Sequence, residues 1–253
     1  MPDSSPRASS QPGRPGRRLK VACAQLNSGI DIAVNVNTAS AMIREAAAAG
    51  ATLIATPEMT SLMNHAPGAL YASSKPEADD PALTAFRALA AELRVWLLIG
   101  SLHIREEGGM CANRSFLIGP AGDIAARYDK IHRFDVQLSA ANVHRESRDF
   151  TAGDEAVVAA LPDARLGMTV CYDVRFPHLH RDLAKAGAEI LAVPAAFNSV
   201  SGTAHWHVLL RARAIETGCF VIAPAQCGVH EDGRKTYGHS LIISPWGAII
   251  AEA

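Results

Sequence analysis

Two stretches of equal length, AGATLIATPE (Ala49–Glu58) and AGAEILAVPA (Ala186–Ala195), are variants of one pattern. In each, an Ala-Gly pair able to end a helix leads into a short apolar run closed by proline, as where a helix feeds a buried strand. The likeness extends along the chain in the same order. RALAAE (Arg87–Glu92) parallels RARAIE (Arg211–Glu216), and Ser115, Ile118, Pro120, Gly122, Ile124 and Ala126 match Ser240, Ile243, Pro245, Gly247, Ile249 and Ala251 at a constant offset. Ala-Gly turns and Pro-x-Gly hairpins are common, but three matches in one order point to a duplication.

The segments between these matches alternate strand and helix. VACAQLN, TLIATPE and VWLLIGSLHI read as strands in the first half, with NTASAMIREAAAAG and PALTAFRALAAELR as helices and NRSFLIGPAGDIAARY as a hairpin. The second half repeats the plan with helix FPHLHRDLAKAG, strand AEILAVP, helix TAHWHVLLRARAIETG, strand CFVIAPAQ and hairpin GHSLIISPWGAIIAEA. Each half is thus a sheet with helices on one face. Packing the two sheets together predicts an α/β fold, a four-layer α-β-β-α sandwich of two pseudo-symmetric halves, with active residues at strand ends near their junction.

The 253 residues, 49% hydrophobic, suffice for one large α/β domain, and a formal net charge of -1 gives no global attraction to nucleic acid or membrane. No apolar run has the length of a membrane span. The five cysteines are scattered and never form a CxxC pair, which argues against a disulfide framework or a thiolate zinc site and for a reducing, cytoplasmic setting. Residues 1–18, rich in Ser, Pro, Gly and Arg, read as a disordered basic tail without the apolar segment of a secretory signal, and 19–253 as the folded domain.

Chemistry concentrates in GMTVCYDVRFP, where a buried strand delivers Cys171 into a charged, aromatic turn. A nucleophilic thiol needs a base or a cationic neighbourhood, and a means of holding an oxyanion. Glu58 ends the strand of TPEMT, and its repeat counterpart is Ala195, an asymmetry that suggests a task for the acid. Lys130 in RYDKIHRFD opens a charged loop, and Glu146 in HRESRDF follows in the same long polar loop, where it could orient Lys130 or assist proton transfer. Taken singly, each has a plainer reading: Cys171 a small core residue, Glu58 a strand-end charge, Lys130 a solvated lysine. His205, His207, His178 and His180 lack a third ligand at usable spacing, so no metal is expected. No GxGxxG, GxxxxGK[ST] or GxSxG occurs, so no cofactor is expected and the cysteine is the leading nucleophile.

Taken together, TPEMTSLM, ARYDKIHRFDV and GMTVCYDVRFP, in that order, resemble the carbon–nitrogen hydrolase, or nitrilase, superfamily, over nearly all of Lys20 to Ala253. The resemblance implies the four-layer fold, Cys171 as nucleophile, Glu58 as general base, Lys130 as oxyanion stabiliser and the Tyr172 backbone N–H as second oxyanion donor. It also implies Glu146 as a supporting glutamate. Arg175 matches a family arginine able to hold a substrate carboxylate, and a salt bridge to Asp173 or another local acid stays open as its alternative.

Within the superfamily, the stretch from Pro194 to His230 and YGHSLIISPWG are most similar to amidases of deaminated glutathione and of α-keto acid ω-amides. The implied reaction takes a small carboxylate-bearing amide to carboxylate and ammonia through a cysteine thioester. Nitrilase or N-carbamoyl amino acid amidohydrolase activity is the alternative, and a non-catalytic scaffold the reading from another class. The resemblance further implies a homo-oligomer, a dimer or higher, since family chains usually continue past the last hairpin into a segment that packs across the dimer. Here the sequence ends at Ala253, an apparently shortened C-terminal segment.

Overall fold

The strands of the two halves assemble into two sheets with one shared plan, seen in a computed structural model that describes residues 18–64, 66, 68–139 and 142–253. The first half runs β1 (Val21–Cys23), α1 (Ile32–Ala48), β2 (Leu53–Ala55), α2 (Ala69–Ser73), α3 (Pro81–Leu93), β3 (Trp96–Arg105), β4 (Cys111–Ile118) and β5 (Ile124–Asp129). A hairpin of β6 (Asp135–Ser139) and β7 (Asn142–Arg145) follows. The second half runs β8 (Val157–Ala160), β9 (Arg165–Met168), α4 (Pro177–Lys185), β10 (Ile190–Ala192), α5 (Ser199–Thr217) and β11 (Phe220–Ala223). It closes with β12 (Cys227–Val229), β13 (Lys235–Tyr237), β14 (Leu241–Ile243) and β15 (Ile249–Glu252). The tail expected over residues 1–18 lies outside the described residues, Arg18 excepted.

The first sheet has the order β1-β2-β3-β4-β5, its first three strands parallel and the last two antiparallel. The second repeats this as β9-β10-β11-β14-β15, with β8 added antiparallel at the β9 edge. Side-chain alternation along each strand then dictates the layers. Leu53, Ala55, Leu98, Leu117 and Tyr128 point from the first sheet into a core shared with Leu166, Met168 and Ala192 of the second. Their neighbours Ile54, Leu97, Ile99, Phe116 and Ile118 face the other way and pack with Ile43 of α1 and Leu83, Phe86 and Leu89 of α3. Leu179 and Leu183 of α4 and Trp206 and Leu210 of α5 cover the second sheet. The result is the α-β-β-α sandwich read from the repeat.

Local signals set the helix ends. The Asp31 carboxylate accepts from Ala33 N (2.8 Å) and Val34 N (3.1 Å), so α1 starts at Ile32, ahead of the Asn37 start suggested by the alanine-rich run. Asp80 caps α3 through Leu83 N at 2.8 Å with Pro81 in the first turn, and Gly218, at φ 68°, ends α5. The polar stretch after Lys130, expected as a loop, instead carries the β6–β7 hairpin. Among the described residues no helix is long and apolar enough to cross a membrane.

Leu98 sits fully buried between the sheets. Leu98→Ala is expected to cost about 3 kcal/mol of unfolding free energy, read from the urea midpoint at unchanged slope.

Candidate active site

Glu58 leaves β2 in a turn that only a glycine neighbour permits. A Cβ on Gly100 of β3 would stand 2.2 Å from the Thr56 carbonyl oxygen and 2.4 Å from that of Pro57, so the turn lies flat against the strand because Gly100 has no side chain. Met59, at φ 57°, takes the left-handed conformation that re-aims the chain, and its N–H is held by Ser101 Oγ at 2.9 Å. From the other half, Gln226 Nε2 donates to the carbonyls of Glu58 and Met59, each at 3.1 Å.

Cys171 follows β9 in a second strained position, at φ 48°, as the first residue of a 3-10 turn over Cys171–Arg175. Strain at a non-glycine residue persists only where the surroundings over-determine it. Asp173 does this: its buried carboxylate accepts from Val170 N (2.8 Å) and Tyr128 Oη (2.7 Å) on one oxygen and from His132 N (3.0 Å) on the other. His132 Nδ1 lies 2.7 Å from the same oxygen, and its ring stacks on Phe176 at 3.5 Å. Cys171 N donates to Pro194 O at 2.9 Å, tying the turn to the strand end beside it.

The folded chain brings the four sequence-selected side chains to one place. Lys130, at the end of β5 and 3% exposed, donates to Glu58 Oε1 at 2.8 Å and to both oxygens of Glu146 at 2.9 Å. Asn113 of β4 bridges the two acids, at 2.9 Å to Glu58 and 3.1 Å to Glu146. Glu58 Oε2 accepts from Ala196 N at 2.9 Å, and the Phe134 N–H serves Glu146. Glu58, itself only 2% exposed, also meets the Cys171 thiol. Each carboxylate is therefore anchored on several sides.

The electrostatics follow from this packing. Burial pushes Glu58 up, but the Lys130 ammonium, with the hydrogen bonds from Lys130, Cys171 and Ala196 N, outweighs it and holds the carboxyl below its ordinary range. Lys130 suffers the same desolvation in the opposite sense, and Glu146 and Glu58 together overcome it and keep the amine protonated. Burial first, and the Glu58 charge second, drive the Cys171 thiol well above its ordinary value despite Lys130. At neutral pH the set is a protonated thiol facing an ionised carboxylate and an ammonium. Such a carboxylate can accept the thiol proton as sulfur bonds to an electrophile.

Cys171, Glu58 and Lys130 line a cavity of about 420 Å³ whose walls also carry Arg145, Arg148, Arg175, Arg234 and Lys235. Tyr172 lines it too, its ring edge-on to Phe134 and Phe176 at 5.1 and 5.4 Å. Arg175 stands over Phe197 (5.2 Å) and Tyr172 (5.8 Å) and lies 3.2 Å from His205 Nδ1. Its alternative salt bridge to Asp173 does not form, because Asp173 is committed to Tyr128, His132 and Val170. Asn113, Asp173, Gln226 and Arg234 escaped the sequence reading. Only Asn113 left a signal there, a polar residue on a strand whose alternate positions face the core.

The sequence found no third metal donor for His207, and the fold supplies one outside the cavity. His207 Nε2 and His239 Nδ1 lie 3.1 and 2.7 Å from one Glu252 oxygen, three donors within 4.8 Å of one another that could hold a cation.

Comparison with known proteins shows the family to which this fold belongs. The chain is 40% identical to the deaminated glutathione amidase of Bos taurus over 91% of its length and 72% of the relative's. It is also 40% identical to the enzyme of that name from Yersinia enterocolitica, over 93% of this chain and 83% of the other. Among solved structures, the Caenorhabditis elegans NitFhit protein superposes with a TM-score of 0.85 at 34% identity, covering 92% of this chain, which spans 57% of the NitFhit chain. The carbon-nitrogen hydrolase pattern itself matches residues 20–253, and the chain belongs to the carbon-nitrogen hydrolase family.

Proposed function

We propose that this protein is a cysteine amidase acting on a small carboxylate-bearing amide, with deaminated glutathione or an α-keto acid ω-amide as substrate. The carrying observation is the Cys171 thiol set beside the Lys130-bound carboxylate of Glu58 on the wall of a cation-lined cavity. Glu58 takes the thiol proton as sulfur attacks the amide carbon. The oxyanion is held by Lys130 and the Tyr172 backbone N–H. Lys130 can spare a donor, because Glu146, bound through both oxygens, can be served by one of its three N–H groups. The proton on Glu58 passes to the leaving nitrogen, the C–N bond breaks, and a thioester remains. Glu58 then deprotonates a water, which attacks the thioester and releases the acid and the thiol. A primary amide releases ammonia; deaminated glutathione, whose amide nitrogen belongs to cysteinylglycine, releases that dipeptide instead. Glu146, with Asn113, holds Lys130 and Glu58 in register, and Arg175 stands at the cavity wall as a candidate for a substrate carboxylate.

Residues 19–253 form the catalytic domain in this reading, which the family match over 20–253 supports. Five free cysteines suit the reducing cytoplasm. A homo-oligomer is supported by apolar side chains left on the outside of α5 and the last hairpin, among them Val200, Val208, Ile250 and the 90% exposed Trp246. Light scattering on the full chain is expected to give a multiple of the 26.8 kDa protomer mass, and a monomer at micromolar concentration would remove this part of the reading.

The reaction is tested by following acid, ammonia and amine release from α-ketoglutaramate, deaminated glutathione, an aliphatic amide, a nitrile and an N-carbamoyl amino acid. Turnover of one of the first two, lowered about 10³-fold or more in Cys171→Ser at unchanged thermal stability, is the expected result. Turnover retained in that variant would sink the mechanism. Glu58→Gln should acylate slowly and retain any thioester formed, visible as an acyl mass on Cys171.

The pH profile separates a general-base mechanism from a preformed thiolate. With the Glu58 pKa below its ordinary 4.5, the base is ionised above that pH, so kcat/KM should hold level from neutrality down to about pH 5 and fall below about pH 4.5. With the thiol above 9.0, no rise is expected between about pH 6 and 9, where a thiolate of ordinary pKa would make the rate climb. Stability shares the acid limb: a lowered folded-state pKa contributes stability above the unfolded value of about 4.3, lost as pH falls through the folded one.

A further inference from the structure

Arg234 is a half-buried cation on the cavity wall whose hydrogen-bonding capacity is largely unspent. It sits in the turn between β12 and β13, the hairpin that links β11 to β14 as the outer ends of β3 and β4 extend the first sheet. Its Nε donates to Asp232 Oδ2 at 2.8 Å, and Nη1 lies 3.3 Å from the Met59 sulfur. No acceptor is recorded for Nη2 among the described residues. A thioether is a weak acceptor, so the outer edge of the guanidinium, with four N–H groups on two nitrogens, faces the cavity nearly uncommitted. Arg114 shows what a structural arginine looks like here: its Nε, Nη1 and Nη2 bond to Asp129, Glu77 and Glu106. A half-buried guanidinium with one carboxylate and an open fork matches a site awaiting a second carboxylate.

The position also fits. Met59, whose sulfur the guanidinium touches, adjoins Glu58 and is held in the left-handed conformation that follows the Glu58 turn. Glu58 and Glu146 both act electrostatically on Arg234, and Arg234 in turn acts on His144 of the β6–β7 hairpin. Burial draws the Arg234 pKa down, with Asp232 opposing. Asp232 fixes the guanidinium through Nε and its own backbone N–H through Oδ1 at 3.0 Å, which pre-aims the fork. Arg175 is arranged otherwise, spread over two aromatic rings and against His205.

We propose that Arg234 is the receptor for the carboxylate on the acyl portion of the substrate, binding it bidentately through Nη1 and Nη2, and so selects acyl groups that end in a carboxylate. This rests on the amidase reading for its substrate and on the open guanidinium for its residue. Arg175, nearer the aromatic wall, is left to the departing portion of the substrate or to packing.

The test compares kcat/KM for α-ketoglutaramate with that for valeramide, a neutral amide of the same chain length, in wild type, Arg234→Gln, Arg234→Lys and Arg175→Gln. The ratio is expected to fall about 10- to 100-fold in Arg234→Gln, chiefly through KM, the scale of a hydrogen-bonded ion pair. Arg234→Lys, which keeps the charge and loses the fork, should recover part of it. A ratio unchanged in Arg234→Gln, or one that falls in Arg175→Gln instead, overturns the proposal. Calorimetric binding of glutarate to Cys171→Ala, with and without Arg234→Gln, provides a readout independent of turnover, and Arg234→Lys serves there if the glutamine variant does not fold. Weakening of about 10-fold or more supports the receptor, and equal affinity refutes it. Should wild type hydrolyse no amide while glutarate binding depends on Arg234, the amidase reading fails and the carboxylate site stands.

Discussion

A lysine ammonium buried between two carboxylates governs the rest of this structure. Taking three charges out of water costs several kcal/mol each, and the mutual attraction repays it only when the remaining hydrogen-bonding positions are filled. Here they are filled from several parts of the fold: Asn113 from β4, the Phe134 N–H from beyond β5 and the Ala196 N–H from the other half. Removing any one charge would leave the others buried and unbalanced, so Glu58, Lys130 and Glu146 stand or fall together. The cluster contributes little to stability as such. In the proposed mechanism it secures a carboxylate that stays ionised and a thiol that stays protonated until a substrate draws the proton across.

Backbone strain is the second constraint, and half of it gathers in the same neighbourhood. Of the four non-glycine residues at positive φ among the described residues, Met59 adjoins the proposed base and Cys171 is the proposed nucleophile. Each such conformation costs on the order of 1–3 kcal/mol and needs compensation nearby. Ser101 and Gln226 supply it around Met59, and Asp173 with Tyr128 and His132 around Cys171. The left-handed conformation at Cys171 turns the chain out of the β9 direction and into the 3-10 turn that follows.

The halves, their sheets and the helix order could be read from sequence because the duplication prints the same apolar periodicity twice. Glu58 and Cys171 were legible because each ends an apolar strand, and Lys130 because the strand before it opens into a charged motif. What stayed hidden lacks such contrast. Strands β6 and β7 are only five and four residues long, so the alternation of Asp135, Val136 and Gln137 is too brief to stand out in a polar stretch. Asp173 seemed a natural partner for Arg175, two residues away, yet the fold gives it to Tyr128 and His132, distant in sequence. Arg234 sits in a charged turn like any surface arginine, and only the path of the chain places it against Met59.

The duplication explains the division of labour at the site. Glu58 and Ala195 occupy equivalent strand ends, and the acid of one half is held by the N–H of Ala196, immediately after its counterpart in the other. One half contributes base and ammonium; the other contributes the thiol and the amide that fixes the base. A symmetric pair of glutamates would set two buried carboxylates against each other, with Lys130 unable to neutralise both and Glu146 as well. Replacing one by alanine converts a pseudo-twofold frame into an asymmetric site without altering the frame. The β6–β7 hairpin, which the second half does not repeat, and the β12–β13 hairpin, which departs in sequence from its counterpart at the outer ends of β3 and β4, bring His144 and Arg234 to the cavity wall. In the proposed mechanism the shared frame sets which bond is broken, and these hairpins set which acyl group is presented to it.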